Sequence, residues 1–241
     1  MAGPPAHQLA DAVWRIPTAP FDLLNTFAFV DDDGQVTVVD TGLKSTPPRV
    51  IAGLAAMGKT PADVTRIVLT HAHGDHAAGA ADLRSRTGAP VAIHQVDAGY
   101  ARRGEGPPRD PSTLLGRVLN RLGPRASGFP AVEIGEELSD GQVLPIAGGL
   151  RVVHTPGHSP GHVALLHERS GVLVTGDSIF NVRKLRWSVR AFCTDIRLNA
   201  QTAHVLGELD YAVAAFTHGS PITQGAREQV RSFLRDAAIP D

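Results

Sequence analysis

The segment LTHAHGDHAAG (residues 69–79) sets four metal-capable side chains, His71, His73, Asp75 and His76, within six consecutive positions. In an extended stretch, residues two apart point the same way, so His71 and His73 can grip one ion. Asp75 and His76, one turn further on, can face a second. Ala72 and Gly74 are small enough for the backbone to bend around such a pair. Imidazole and carboxylate suit zinc or iron, and a set without thiolate argues against a closed structural site. The one cysteine, Cys193, lies in AFCTDI with no adjacent histidine. It excludes an internal disulfide and reads as a small core residue.

Six residues cannot complete the coordination of two ions, so further donors must come from elsewhere. TPGHSPGH (155–162) places His158 directly after a Pro-Gly bend, where a side chain can leave a strand end and reach inward. VLVTGD ends a hydrophobic run on Asp177, a carboxylate able to bridge two cations, and AFTHGSP offers His218 in a similar setting. Loops at strand ends that gather His and Asp from distant parts of a chain are what a metal-assisted hydrolase requires. His154 competes with His158, but it lies inside the run LRVVHT and lacks the preceding Pro-Gly. His7, His94, His167 and His204 read as ordinary surface or core histidines.

The series HAHGDH, TPGHSPGH, TGD and FTHG, preceded by VVDTG with Asp40, resembles the metallo-β-lactamase superfamily in its glyoxalase II and lactonase-like branch, over residues 20–235. The resemblance implies an α/β fold, the four-layer αβ/βα sandwich, as a single domain over 1–241 with a binuclear site at one edge of two sheets. Carried over by position, it makes His71, His73 and His158 ligands of a first metal, Asp75, His76 and His218 ligands of a second, and Asp177 the bridge. Asp40 is expected to brace the ligand loop without touching an ion, and His162 to support rather than ligate. The implied cofactors are two divalent ions, zinc first, with manganese or iron(II) accepted by the same donors. The implied chemistry is hydrolysis: a hydroxide bridging the ions attacks the carbonyl of a small ester, thioester or lactone. Asp75, besides ligating, would orient that nucleophile or shuttle a proton.

Within the superfamily, true β-lactamases lack a carboxylate at the position of Asp177. Acyl-homoserine lactonases carry a tyrosine where Phe180 stands, and glyoxalase II has a basic C-terminal extension where a short segment follows His218 here. No one substrate is singled out. Phe180 and the run NVRKLRWSVRAF, with Arg183 and Arg186, are the expected substrate contacts, able to hold a carboxylate or phosphate tail beside the metals. Two alternatives stay open: a metal-binding sensor without turnover, and a phosphodiesterase of the same superfamily.

These residues need elements to hold them. FAFVDDDGQVTVVDTG reads as a hairpin leading into Asp40, and PPRVIAGLAAMG as a helix with Thr46 as its N-cap. DVTRIVLT is a β-branched strand ending at the histidine cluster, and HAAGAADLRSRTG a helix leaving it. PVAIHQ, AVEI, QVLPI, GLRVVHT, HVALLHE, VLVTGD and AVAAFTH read as strands; NAQTAHVLGELD and TQGAREQVRSFLRDAA read as helices. Residues 103–130 interrupt this rhythm with dense Pro, Gly and Arg. Leu114, Leu115, Val118, Leu119 and Leu122 mark one apolar helical face there. The segment reads as an insertion docked on the core by that face; a cover over a pocket, or a subunit contact, is the alternative.

With 241 residues, 42% of them hydrophobic, the chain can bury a sizeable core. A net charge of -1 gives no global field to draw in nucleic acid or an anionic membrane. No basic, apolar leader opens the sequence and no run is long enough to span a bilayer. The expectation is a cytoplasmic protein acting on a small molecule, with neither nucleic acid nor membrane as partner. Oligomeric state is not written in the sequence.

Overall fold

The computed structural model describes residues 5–123 and 128–239. Seven strands form the first sheet, in sequence order: β1 (His7–Ala10), β2 (Val13–Pro17), β3 (Asn25–Val30), β4 (Val36–Val39), β5 (Val64–Leu69), β6 (Val91–His94) and β7 (Ile134–Leu138). β1 to β4 pair antiparallel, and β4 to β7 pair parallel. Parallel neighbours need crossovers, which here contain α1 (Pro47–Ala56), α2 (Gly74–Ala77), α3 (Ala80–Thr87), α4 (Gln95–Arg103) and α5 (Leu114–Leu122). Next come β8 (Val143–Leu144), β9 (Leu150–His154), β10 (Val163–His167) and β11 (Val172–Val174). A separate hairpin, β12 (Ile179–Val182) and β13 (Lys184–Trp187), follows. Then come α6 (Ile196–Ala203), α7 (Val205–Glu208), β14 (Val213–Ala215) and α8 (Ala226–Asp236). The second sheet runs β14-β11-β10-β9-β8, with β14 parallel to β11.

Alternation along each strand builds the layers. Phe27, Phe29, Val39 and Val68 of the first sheet meet Leu150, Val152, Val163, Leu165 and Val174 of the second in one buried cluster. Their neighbours Ala28, Val38, Ile67 and Ile93 face the other way, against Val50, Leu54, Leu83 and Ala98 of the helices. On the far side Ala164, Leu166, Leu173 and Ala214 bury against Ile196, Ala200, Val230 and Leu234. Helix, sheet, sheet and helix thus stack in the four layers that the motifs imply. Among the described residues no helix is long and apolar enough to cross a membrane.

Several local expectations are corrected. The strand expected at AVEI enters β7 only at Ile134; β7 continues through Leu138, because it is an edge strand whose outer positions are polar and break the apolar run. The helix expected over HAAGAADLRSRTG is two, α2 and α3, divided at Gly79, where a Cβ would meet the Thr41 carbonyl at 2.5 Å. Thr46 occupies the N-cap position of α1 but makes no side-chain capping bond. The largest correction concerns the insertion. Its apolar face does not dock on the core: Leu114 is 71% and Leu122 67% exposed. The opposite face turns inward because Gly116 makes room for the Asp110 carbonyl and Asn120 pairs with the backbone of Arg109.

Candidate metal centre

Strand ends at one edge of the two sheets carry the candidate residues. β5 runs out at Leu69, and Thr70 accepts a hydrogen bond from the Val163 N–H (3.0 Å), tying the two sheets together where the site begins. His71 and His73 follow, and α2 starts at Gly74, so that Asp75 and His76 ride its first turn. β4 leads into Asp40, whose φ of 59° turns its carboxylate back toward β5. That carboxylate accepts from the Thr70 N–H (2.8 Å) and faces Nδ1 of His76 at 2.9 Å. The β9–β10 loop supplies His158, the β11–β12 loop Asp177, and the segment after β14 His218.

These seven side chains fall into two groups. His71, His73 and His158 form one, and Asp75, His76, Asp177 and His218 the other; within each group the donor atoms lie within 4.8 Å of one another. Asp177 stands between the groups. One of its oxygens is 3.3 Å from Nε2 of His158 and the other is 3.3 Å from Nε2 of His76. Nε2 of His71 and of His76 are buried and have no hydrogen-bond partner. Buried ring nitrogens are rarely left unpaired, so two orphans inside an imidazole and carboxylate cluster fit a set of donors for divalent ions. The opposite ring nitrogens are held in place. His71 Nδ1 meets the Thr70 hydroxyl (3.0 Å), His158 Nδ1 the Ser188 hydroxyl (2.8 Å), and His218 Nδ1 the Leu23 carbonyl (2.6 Å). Such contacts fix the ring and the tautomer that a ligand needs.

Electrostatically the groups differ. Burial, reinforced by mutual repulsion, holds His71 and His73 well below the ordinary imidazole range; burial pushes His158 down to about 3. In the second group burial acts the same way but is overridden: Asp177, Asp75 and Asp40 raise His76 well above its ordinary value. Asp177 and Asp75 raise His218 to about 10. The carboxylates answer in kind. Burial alone would lift Asp177 and Asp75, yet neighbouring imidazoles hold both below the usual range.

The supporting residues explain the loop shapes. His162 accepts the Asp177 N–H at Nε2 (2.7 Å) and turns Nδ1 to the Thr155 carbonyl (3.1 Å), so both nitrogens are committed and neither faces the donors. Gly157 has φ 131°, and a Cβ there would collide with the Asn199 backbone. His154 lies elsewhere, stacked on His94 with ring centroids 4.1 Å apart. Cys193 is buried, and burial pushes its thiol up to about 12, as for an inert core residue.

Two residues escaped the sequence. Asp97, on α4, accepts from the Ala72 N–H (3.0 Å), the Ser159 hydroxyl (2.6 Å) and the Gly161 N–H (2.7 Å), so one carboxylate clamps the loops of His71, His73 and His158. Burial lifts Asp97 above the ordinary range although those three donors pull it down. Arg109, from the insertion, lies beside His73. Nothing local marks either one. Asp97 follows a strand that reads only as PVAIHQ, and Arg109 is one arginine among several in its segment.

A cavity of about 380 Å³ opens over the donors, lined by His73, Asp75, Arg109, His158, Asp177, Phe180, Val189, Phe192 and His218. Phe180 stands at its wall, 4.6 Å from the His218 ring. Arg183 and Arg186 do not join it. Arg183 is the single turn residue between β12 and β13, with φ 64°, and the tight hairpin carries both arginines to a different cavity with Phe21 and Leu23.

Two facing sheets between helix layers, with imidazoles and carboxylates collected at one sheet edge, define a metal-binding α/β sandwich. The family model described as the metallo-beta-lactamase superfamily matches residues 22–235, and the chain belongs to that superfamily. It is 29% identical over 195 residues to the "Probable metallo-hydrolase YybB" of Bacillus subtilis, covering 80% of each chain. It is 35% identical over 160 residues to a hydroxyacylglutathione hydrolase of Cereibacter sphaeroides, which takes in 65% of this chain and 49% of that one. The match thus spans about half the length of that relative. Among solved structures, a metallo-beta-lactamase family protein of Thermus thermophilus superposes with a TM-score of 0.72 at 25% identity, covering 95% of this chain and 80% of that one. A metallo-β-lactamase of Cronobacter sakazakii reaches 0.74 at 22% identity, covering 96% and 95%, a likeness of fold alone.

Proposed function

We propose that the chain is a metal-dependent hydrolase of small esters, thioesters or lactones. It would hold two divalent ions, zinc first, with manganese or iron(II) as substitutes. His71, His73 and His158 would take one ion, Asp75, His76 and His218 the other, and Asp177 would lie between them. The observation that carries this reading is the pair of adjoining donor groups, with orphaned Nε2 atoms on His71 and His76, opening onto one cavity. The names of the relatives point the same way: one is called a metallo-hydrolase, and the other hydrolyses an acylated glutathione by name. Bound ions would supply Lewis acidity and would lower the pKa of a coordinated water from about 15.7 toward about 7.

The protein's own groups do the rest. The Asp75 side chain is 42% exposed, with an oxygen 3.4 Å from Nε2 of His218, so it borders both donors and cavity and can orient an attacking water or take its proton. Asp40 and Thr70 hold His76 and His71 at fixed angles. Phe180, Val189 and Phe192 give the cavity apolar walls that exclude bulk water and receive the apolar part of a substrate. The same reading takes 1–241 as one domain of this fold with 103–130 as an insertion, in keeping with the core shared by both sheets.

Metal quantification with a screen of esters, thioesters, lactones and phosphodiesters tests the proposal. Expected are two ions per chain, turnover of at least one carbonyl class, and loss of turnover on chelation. Asp75→Asn should retain metal while turnover drops by roughly 10²- to 10⁴-fold; undiminished turnover would remove Asp75 from that role. Two ions with no turnover of any class would favour a metal-binding sensor. Turnover of phosphodiesters alone would move the chain to that branch.

A further inference from the structure

Arg109 has no role in the hydrolase reading, yet it is placed as though it had one. It lies on the segment between α4 and α5, is 9% exposed, and lines the cavity with His73, Asp75 and Asp177. Among the described residues no carboxylate pairs with it. One terminal nitrogen donates to the Phe192 carbonyl (2.5 Å) and faces Nε2 of His73 (2.9 Å), while its Nε is buried without a partner. A guanidinium brought this far out of water without an acid is unfavourable unless something else supplies the negative charge.

Its contact with His73 does not explain it. The other four imidazoles of the two donor groups rest on atoms that accept hydrogen bonds: the Thr70 and Ser188 hydroxyls, the Asp40 carboxylate and the Leu23 carbonyl. Arginine can only donate. His73 turns Nδ1 toward its group, 2.8 Å from Nε2 of His158. Arg109 can donate to Nε2 only when His73 carries its proton on Nδ1, the nitrogen turned to the group, so this contact does not hold the ring ready to ligate as the others do. It occupies one terminal nitrogen of Arg109; the other makes no hydrogen bond among the described residues and is left for a molecule in the cavity.

The loop that presents Arg109 is braced as a binding group requires. Asn120 bonds both the N–H and the carbonyl of Arg109 (2.9 and 2.8 Å). The Asp110 N–H donates to the Cys193 carbonyl (2.6 Å) and the Thr194 hydroxyl to the Pro108 carbonyl (2.7 Å). The Phe192 ring lies 5.5 Å from the guanidinium carbon. A guanidinium fixed in this way forgoes little freedom on binding.

We propose that Arg109 grips a carboxylate carried by the substrate, so that the preferred substrates are small monoanionic esters, thioesters or lactones whose acid group lies near the scissile carbonyl. The free terminal nitrogen of Arg109 can donate a charge-assisted hydrogen bond to one carboxylate. Apart from the imidazoles, Arg109 is the one cationic side chain among the described residues that line this cavity. Phe180, Val189 and Phe192 take the apolar remainder, and about 380 Å³ restricts it to a small molecule.

This assignment rests on the hydrolase reading for its substrate class, but its test needs no turnover. Levulinate and methyl propyl ketone have the same carbon skeleton and differ in the carboxylate; neither contains a bond to hydrolyse. Calorimetric binding of each to zinc-reconstituted protein is compared with Arg109→Gln and Arg109→Lys, with zinc content measured throughout. Levulinate should bind the native chain about 10- to 100-fold more tightly than the ketone. Arg109→Gln should abolish most of that margin without loss of zinc, and Arg109→Lys should keep part of it, which also serves if Arg109→Gln fails to fold. A margin that survives Arg109→Gln, or none in the native chain, overturns the proposal. So does tighter, Arg109-dependent binding of the phosphonate analogue of levulinate. An Arg109-dependent margin in a protein that hydrolyses nothing would sink the hydrolase reading and leave only the carboxylate grip of Arg109 standing; turnover of neutral esters with no margin would overturn the grip and leave the hydrolase reading.

Discussion

The two donor groups touch through Asp177 yet are built on opposite electrostatic plans. The His71, His73 and His158 group contains no carboxylate of its own, is buried, and keeps its imidazoles neutral by burial. The Asp75, His76, Asp177 and His218 group sets two acids against two imidazoles whose pKa values those acids raise, and Asp75 opens it to solvent. A cation entering the first group meets imidazoles that burial keeps uncharged. One entering the second competes with the protons that the neighbouring acids favour on its imidazoles. The difference shows why the site needs distinct scaffolding on its two sides: Asp97 ties down the loops of the first, while Asp40 charges and aims a ring of the second.

The most damaging test of that contrast is Asp177→Asn, which keeps the size of the side chain and deletes the charge shared by both sides. Asp177 accepts from the Thr217 hydroxyl (2.6 Å) as well as facing His76, His158 and His218. Turnover should fall on the order of 10³-fold, and elemental analysis should find zinc reduced to one ion or fewer. Full retention of two ions would break the comparison, because the groups would then be independent of the residue that links them. Asp97→Asn should act more weakly and on one side. An amide can still accept on one edge but presents a donor to the other, so one loop is released. Chelator competition should show affinity at the three-histidine group lowered about 10- to 100-fold, with the second group unchanged. Equal weakening of both would mean that Asp97 braces the whole edge rather than one group.

What could be read in the chain follows the same division between local and long-range causes. HAHGDH is legible because an extended backbone fixes which rings share a side, and VLVTGD because a β-branched run must stop where its polar residues begin. The structure brings these five candidate residues together with His158 and His218, in two groups that could each hold an ion. Asp97 and Arg109 are different: each acts on residues far away in sequence, and the direction of its side chain depends on how α4 and α5 seat. Arg183 and Arg109 make the point as a pair. Both are arginines in loops near the site; the hairpin turn sends one away, and the hydrogen bonds of Asn120 send the other in. The apolar stripe of α5 misled for a related reason, since periodicity locates a face but not what covers it.

The smallest expected effect is also the most direct reading of the two plans: how the stability of the chelated protein depends on pH. His158 and His162 are pushed down to about 3 and about 4 by burial, from an ordinary value of 6.5. Between those values the unfolded chain binds protons that the folded chain refuses, so stability is lost as the pH falls from about 6.5 toward 4. His218 runs the other way. Burial would lower it, but Asp177 and Asp75 raise it to about 10, so its contribution is complete below about 6.5 and is lost as the pH climbs through 10. Denaturant midpoints of the chelated protein should therefore decline on both sides of neutrality. His158→Asn should flatten the acid limb and His218→Asn the alkaline one. A variant that flattened the opposite limb would reverse the assignment, placing the charged imidazole in the three-histidine group and the neutral ones beside the carboxylates.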